Sequence, residues 1–494
     1  MSLLAGSPGR AALEASAAAA VPVGKSIQKV EAFPRVPGSV APKDWKKTAR
    51  DFDRLLFDFN AKGEYQPIIK WDLSGENGVG RTFFLPSYIG ANNWETPGGQ
   101  ESVCILPILV GSTLAGIDKS NQPTNENGKV TNYNYVKMIQ AFYQSPGFLF
   151  DTKKQQDGNS MWYDITPALN FSQLAQLYPD VDGMEDIMKS VCDLWYTAVY
   201  RYGEAPDKLD FLNSTGYSFF QGKPAFNGQW KEMDGGVALG MLMYYAYNRF
   251  GDQKYLKAAL DCLYAYERTS LNPLYEALAS YAPLLSARMN AELGTDFNTD
   301  KYLKWNFECD SDCRWGYIGV FTGKAGAYDA EGTYGAYDNG GYMFTYDTMA
   351  LASNMAAVPK YDARYARSIG RYLLNAVVNA SLHYPDALDK QHQSCPDYKG
   401  DPDACVPYEG FRSAYAGKTP YLMGDPTIHG WGHTDLGIYS GAMVGYFAAL
   451  ADKTDVDKIY RFNLDKLDFY GKNACPAYLY YNPHTSAKAV TVDI

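Results

Sequence analysis

The sequence predicts an all-α chain, an (α/α)6-type toroid of helical hairpins with a small C-terminal β-hairpin. Three observations lead there. Apolar residues recur at helical spacing in about a dozen segments, while strand-like pieces are few. Successive segments are joined by tight turns, as where 235–250 meets 253–267 through Phe250-Gly-Asp-Gln. No strict sequence period runs along the chain, which argues against a solenoid. Hairpins in succession over roughly 450 residues pack as an inner ring within an outer ring, with loops at one end framing a cavity.

The bulk properties agree with a globular chain. It has 494 residues, 46% hydrophobic and 15% aromatic, enough for a large core. Residues 1–42 are small, polar and Pro/Gly-punctuated and read as a disordered arm. Residues 43–494 read as one toroidal catalytic domain. No run reaches the roughly 18 apolar residues of a membrane helix, so no membrane partner is expected. A net charge of −10 repels polyanions. That disfavours nucleic acid and, more weakly, uronate polymers. Forty-one tyrosines supply faces that stack on sugars or fill helix interfaces. Cys309 with Cys313, and Cys395 with Cys405, each flank a short polar loop and read as disulfides rather than a zinc site. The sequons at Asn170, Asn213 and Asn379 point to a secreted glycoprotein.

The elements follow in order. The first helix spans Asp44 to Asn60, with Asp44 as its N-cap and Phe52, Leu55, Leu56, Phe57 and Phe59 on its apolar face. Ile68 to Asp72 reads as a short strand, followed by a loop carrying Tyr88, Asn92, Asn93, Trp94 and Glu95. Helices are expected at 101–117, 131–144, 166–178, 184–202, 235–250, 253–267, 273–293, 345–357, 361–381, 435–451 and 454–470. Two alternating pieces, 477–484 and 488–494, form the closing hairpin.

Two stretches hold the candidate chemistry. Gly424 to Gly441 carries two of the five histidines, two aspartates, a tryptophan and a tyrosine among five glycines. It reads as a rigid loop at a cavity mouth, opening into a helix at 442–450. Asp425 lies in Gly-Asp-Pro, where the proline fixes the following backbone. Asp435 also reads as an N-cap and is the reserve carboxylate. His429 and His433 stand four apart, but the intervening Gly-Trp-Gly is unsuited to a helical metal pair, and no metal or cofactor is expected. The second stretch, Gln229-Trp-Lys-Glu-Met-Asp, places Glu232 beside Trp230 at the loop end of a helix. Partial desolvation there raises a carboxyl pKa, as a general acid needs. Asp234 reads as the N-cap of that helix.

Loops coupling an aromatic face to a hydroxyl-binding group supply the expected sugar contacts. They place Trp71, Trp94, Trp162, Asp164, Trp230, Arg314, Trp315, Asp338, His429, Trp431, His433 and Asp435 as substrate-binding residues. There is no P-loop, dinucleotide fingerprint or GxSxG elbow.

Tyr244-Tyr-Ala-Tyr-Asn-Arg-Phe-Gly-Asp-Gln-Lys-Tyr-Leu-Lys-Ala-Ala resembles the helix–turn–helix of the six-hairpin (α/α) carbohydrate-active enzymes. Leu479-Tyr-Tyr-Asn-Pro-His is similar to strand segments that accompany such toroids. The plan is also similar to that of the fungal-type endo-β-1,2-glucanases. The resemblance implies a secreted, endo-acting glycoside hydrolase on a neutral glucan-like polysaccharide or oligosaccharide. Catalysis would be inverting, with Glu232 as acid and Asp425 as base. Two alternatives stay open. One is a polysaccharide lyase using Tyr346 or Tyr439 with His429 or His433, and Arg314 on the uronate. The other is a glycan-binding toroid without catalysis.

Overall fold

The computed structural model describes residues 23–73, 81–144, 148–149, 157–313, 316–338, 340–472 and 475–492. Eleven helices of seven or more residues build the frame among them. They are α1 (Trp45–Leu56), α2 (Ser102–Leu114), α3 (Met161–Leu177), α4 (Met184–Val199), α5 (Gly235–Phe250), α6 (Gln253–Glu267), α7 (Tyr281–Leu293), α8 (Thr299–Phe307), α9 (Thr345–Met355), α10 (Ala366–Asn379) and α11 (Val444–Leu450).

Six of them form a closed ring. α2 packs on α3, α3 on α5, α5 on α7, α7 on α9, α9 on α11, and α11 returns to α2. The others lie outside: α1 on α2 and α11, α4 on α3 and α5, α6 on α5, α8 on α7, α10 on α9. The molecule is a helical toroid. Sequence explains who sits where. α2 is buried without a break from Ser102 to Ser112, as a helix surrounded by helices must be. α1 buries one stripe, Trp45, Thr48, Ala49, Phe52, Asp53 and Leu56, and shows a charged face to water. Asp44, Asp252 and Asn298 cap α1, α6 and α8 by accepting from Lys47, Lys254 and Lys301 N–H groups. Where α11 meets α2 the helices touch at glycine. A Cβ on Gly445 would stand 2.2 Å from the Gly111 carbonyl carbon.

Several expectations are corrected. The chain is not all-α. A six-stranded antiparallel sheet joins β1 (Ser311–Cys313), β2 (Gly316–Val320), β3 (Tyr334–Ala336), β4 (Tyr342–Phe344), β5 (Gly410–Arg412) and β6 (Tyr421–Met423), in the order β6-β5-β4-β3-β2-β1. The helix expected at 131–144 is shortened to Tyr135–Met138 and the tighter turn Ile139–Phe142, and the residues before it form a hairpin, Gln122–Glu126 against Lys129–Tyr133. Its turn is Asn127-Gly128, both at positive φ, the pair that favours a two-residue hairpin loop. The helix expected at 454–470 is absent. Tyr460–Asn463 is instead the middle strand of a three-stranded sheet with Ala451–Lys453 and Tyr478–Tyr480. That sheet replaces the two-stranded C-terminal hairpin, and among the described residues of 488–494 there is no strand.

The N-terminal arm is only partly open to description. Residues 1–22 lie outside the described residues. Residues 23–42 are packed rather than wandering. Val30 and Phe33 are buried, and Glu31 pairs with Arg367 and Arg371 on α10. Cys395 and Cys405 are not joined. The Cys405 thiol donates to Asp401, and Cys395 Sγ accepts from Asp435 N–H. The Cys313 side chain lies outside what is described. Of the sequons, Asn170 and Asn379 are buried inside helices, and only Asn213 is exposed.

Candidate active site

All six inner helices turn their N-terminal ends toward one cavity of about 510 Å³. Glu101 precedes α2. Ser160, Trp162 and Tyr163 stand at the start of α3, and Glu232 precedes α5. Tyr275 and Glu276 lie on the approach to α7, Tyr346 and Asp347 in the first turn of α9, and Tyr439 and Ser440 on the turn before α11. Glu409, Asp425, His429 and Trp431 complete the wall from the β5–β6 side. Six carboxyl groups therefore line the cavity. Among the described residues no lysine or arginine does.

Glu232 is 2% exposed. Oε2 accepts from the Ser160 hydroxyl at 3.0 Å and the Trp162 N–H at 2.8 Å. Oε1 accepts from the Trp230 indole at 3.0 Å. These donors favour the ionised form, but burial outweighs them and pushes the carboxyl up to about 7. The neutral acid fits the same partners. Oε2 as carbonyl takes two donors, while Oε1 carries the proton and still accepts from the indole.

Asp425 and His429 sit on a five-residue helix, Asp425–His429, with Pro426 at its second position. His429 Nε2 lies 4.0 Å from Asp425 Oδ1. Glu409 stands beside Asp425 and accepts from the Tyr88 hydroxyl at 2.7 Å and the Tyr342 hydroxyl at 2.8 Å. Burial first, then the Asp425 charge, lifts Glu409 above the usual carboxylate range. Burial, with Asp234 next to it, lifts Asp347 in the same sense.

An aromatic wall runs through the cavity. Trp162 donates its indole N–H to Tyr439 at 3.0 Å and packs edge-on against Tyr346. Tyr346 stacks on Tyr439 with centroids 4.8 Å apart, and Tyr88 stands between Tyr439 and Trp431. Trp431 is 37% exposed, at the mouth.

The residues named from sequence divide into three groups. Glu232, Asp425, Trp162, Trp230, His429 and Trp431 line the cavity. Others lie elsewhere, and those assignments are corrected. Asp164, in the first turn of α3, is buried off the cavity wall and accepts from the Tyr217 N–H, so it braces a loop. Asp435 is fully buried and accepts from Thr427 N–H and Oγ1, bracing the Asp425–His429 helix from behind. Trp71 stacks on Phe59 and donates to Glu126 outside the ring. Trp94 and His433 both pack on Tyr65 beyond the mouth. Asp338 is an exposed turn residue beside β3 and is not in the wall. Arg314 and Trp315 form the third group and lie outside the described residues.

Sequence reasoning missed Glu101, Glu276, Asp347 and Glu409. Three share one signal: an acid just before, or in the first turn of, an inner helix. That placement is also what the helix dipole favours in any helix, so it does not separate a site acid from a cap. Asp234, expected as the N-cap of α5, makes no side-chain capping hydrogen bond to that helix. It accepts from Tyr275, Glu276 and Ala279 N–H groups and ties α5 to the approach of α7.

No family model matches the chain, and no curated protein is matched by its sequence. Among solved structures, the chain is similar to a family 76 glycoside hydrolase from a bovine Bacteroides thetaiotaomicron strain. Identity there is 11%, over 83% of this chain and 77% of that one, with a TM-score of 0.39. It is also similar to Ara127N-Se, a GH127 β-L-arabinofuranosidase from Geobacillus stearothermophilus T6. Identity is 12%, over 86% of this chain and 70% of that one, with a TM-score of 0.38.

Proposed function

We propose that this protein is a secreted glycoside hydrolase of six-hairpin plan, endo-acting on a neutral glucan-like polysaccharide. Glu232 is the general acid, Asp425 the general base, and the anomeric centre is inverted. One observation carries the reading: a buried carboxyl lifted to about 7 and a second, more exposed carboxyl line the same aromatic-walled cavity. Glycosidases need that asymmetry, one acid neutral and one ionised at working pH.

In the proposed step, Glu232 Oε1–H protonates the glycosidic oxygen as its bond to the anomeric carbon breaks. A water attacks that carbon from the opposite face and gives its proton to Asp425. Trp431, Trp230 and Trp162 supply faces for sugar rings. A lining of carboxyls with no lysine or arginine among the described residues offers a uronate no counter-charge, which favours a neutral chain. The lyase reading gains no support, since burial lifts the Tyr346 and Tyr439 phenols well above their ordinary value, away from a phenolate base.

The test is an incubation with a panel of neutral glucans, including β-1,2-glucan, together with a polyuronate and a glucosamine polymer. New reducing ends without ultraviolet absorbance, lost in Glu232→Gln and Asp425→Asn, are expected. An absorbing unsaturated product would mean elimination instead. Binding without cleavage by any member would mean a glycan-binding toroid.

A further inference from the structure

The segment that carries Asp425 is threaded between two carboxylates. A Cβ on Gly424 would stand 2.7 Å from Glu409 Oε2 and 3.0 Å from Asp435 Cβ, so the backbone passes only because residue 424 has no side chain. On one side Asp435 holds Thr427. On the other, Glu409 Oε2 accepts from the Asp425 backbone N–H as well as from Tyr342.

Glu409 is itself immobilised. Its N–H donates to the Asp435 carbonyl at 2.9 Å, and its carbonyl accepts from Thr345 N–H, the first residue of α9, at 2.9 Å. Its carboxyl then reaches the cavity wall between Tyr88 and Tyr342. A carboxylate needed only to fasten a turn has no reason to face the cavity beside another acid. Taking the proposed function as given, we propose that Glu409 is the positioning residue of the Asp425 base: it fixes the backbone at 424–425 by accepting the Asp425 N–H while Tyr88 and Tyr342 hold its carboxyl in place. Held there, the Asp425 carboxyl keeps the placement that a general base for water needs.

Two tyrosines and a histidine face this pair. Tyr88 and Tyr342 donate to Glu409, and His429 lies beside Asp425. Arg412, two residues along β5, lies over the Tyr342 ring at 4.3 Å. Asp425 is the neighbouring charge that adds to the burial of Glu409, which is how two carboxyls close together behave.

Glu409→Gln keeps an acceptor for the Asp425 N–H, and Glu409→Ala removes it. The first readout needs no substrate: hydrogen exchange of the Asp425 amide in nitrogen-15 aspartate-labelled protein, with its resonance assigned by its loss in Asp425→Asn. The expected result is slow exchange in the wild type and in Glu409→Gln, and exchange at least about 10-fold faster in Glu409→Ala. On the cleaved glucan, Glu409→Ala should lose about 100-fold in kcat with KM little changed, and Glu409→Gln should recover most of that loss. An Asp425 amide equally protected in Glu409→Ala, or a wild-type kcat in that variant, overturns the inference. If the wild type cleaves no glycan, the hydrolase reading falls, while the exchange still decides whether Glu409 holds the backbone at 424–425.

Discussion

Asp435 holds Thr427 twice: Oδ1 accepts the Thr427 N–H at 2.9 Å, and Oδ2 accepts its hydroxyl at 2.7 Å. Oδ2 also takes the Ser394 hydroxyl. A carboxylate with no access to substrate thus sets the pitch of the helix bearing Asp425. Asp435→Ala would strand those donors in a buried site, at a cost of about 1–3 kcal/mol. The expected outcome is a lowered Tm together with a fall in kcat larger than the rise in KM. A variant with wild-type kcat would show that the Asp425 helix keeps its place unaided.

Stability should fall as pH rises through the slightly acid range. Burial lifts Glu232 to about 7 and Asp234 to about 6, both above their unfolded values. Between roughly pH 4 and 7 the folded state therefore binds more protons than the unfolded, and stability drops as those protons leave. Melts at pH 5 and pH 7.5 should show the higher Tm at pH 5. The difference should shrink in Glu232→Gln.

The contact between α2 and α11 has no room for a methyl group. Gly445→Ala would place Cβ against the Gly111 backbone, which cannot rotate away as a side chain would. Overpacking of this kind costs about 1–3 kcal/mol or more. Gly251→Ala, at the end of α5, meets open space but sits at φ +73. Its cost should be strain alone, about 1 kcal/mol. Chemical denaturation of the two variants should rank Gly445→Ala as the more damaging.

Expression through a glycosylating secretory route should modify Asn213 alone of the three sequons. Asn213 is exposed, whereas Asn170 and Asn379 are buried in α3 and α10. Intact-mass analysis of Asn213→Gln should then show no N-glycan, and a glycan at either buried asparagine would contradict the packing of its helix.

The ring was legible because helical spacing is local. Gly235 to Glu267 showed both helices and their turn within one stretch of sequence. The six-stranded sheet was not, because β4 and β5 are hydrogen-bonded neighbours separated by α9, α10 and the loops after them. Pairing over that distance leaves no periodic trace. The hairpin at Asn127-Gly128 was legible in principle, since that dipeptide marks such a turn, but the apolar spacing downstream outweighed it. The site divides in the same way. Glu232 was found because its tryptophan neighbour and loop position marked it as desolvated. Glu409 was hidden because nothing in Tyr408-Glu-Gly-Phe announces that two tyrosines and Asp425 converge there from other parts of the chain.

The Gly111–Gly445 contact also bears on how the chain is made. Its two sides are more than three hundred positions apart, so at about 5–20 residues per second α2 waits tens of seconds on the ribosome for its last neighbour. Through that interval α2 and α9 have no α11 between them, and apolar surface that the finished toroid hides stays open to other nascent chains. Any chain stopped short of Val444 carries that exposed seam permanently, which makes α11 decisive for whether synthesis yields a native molecule or an aggregate.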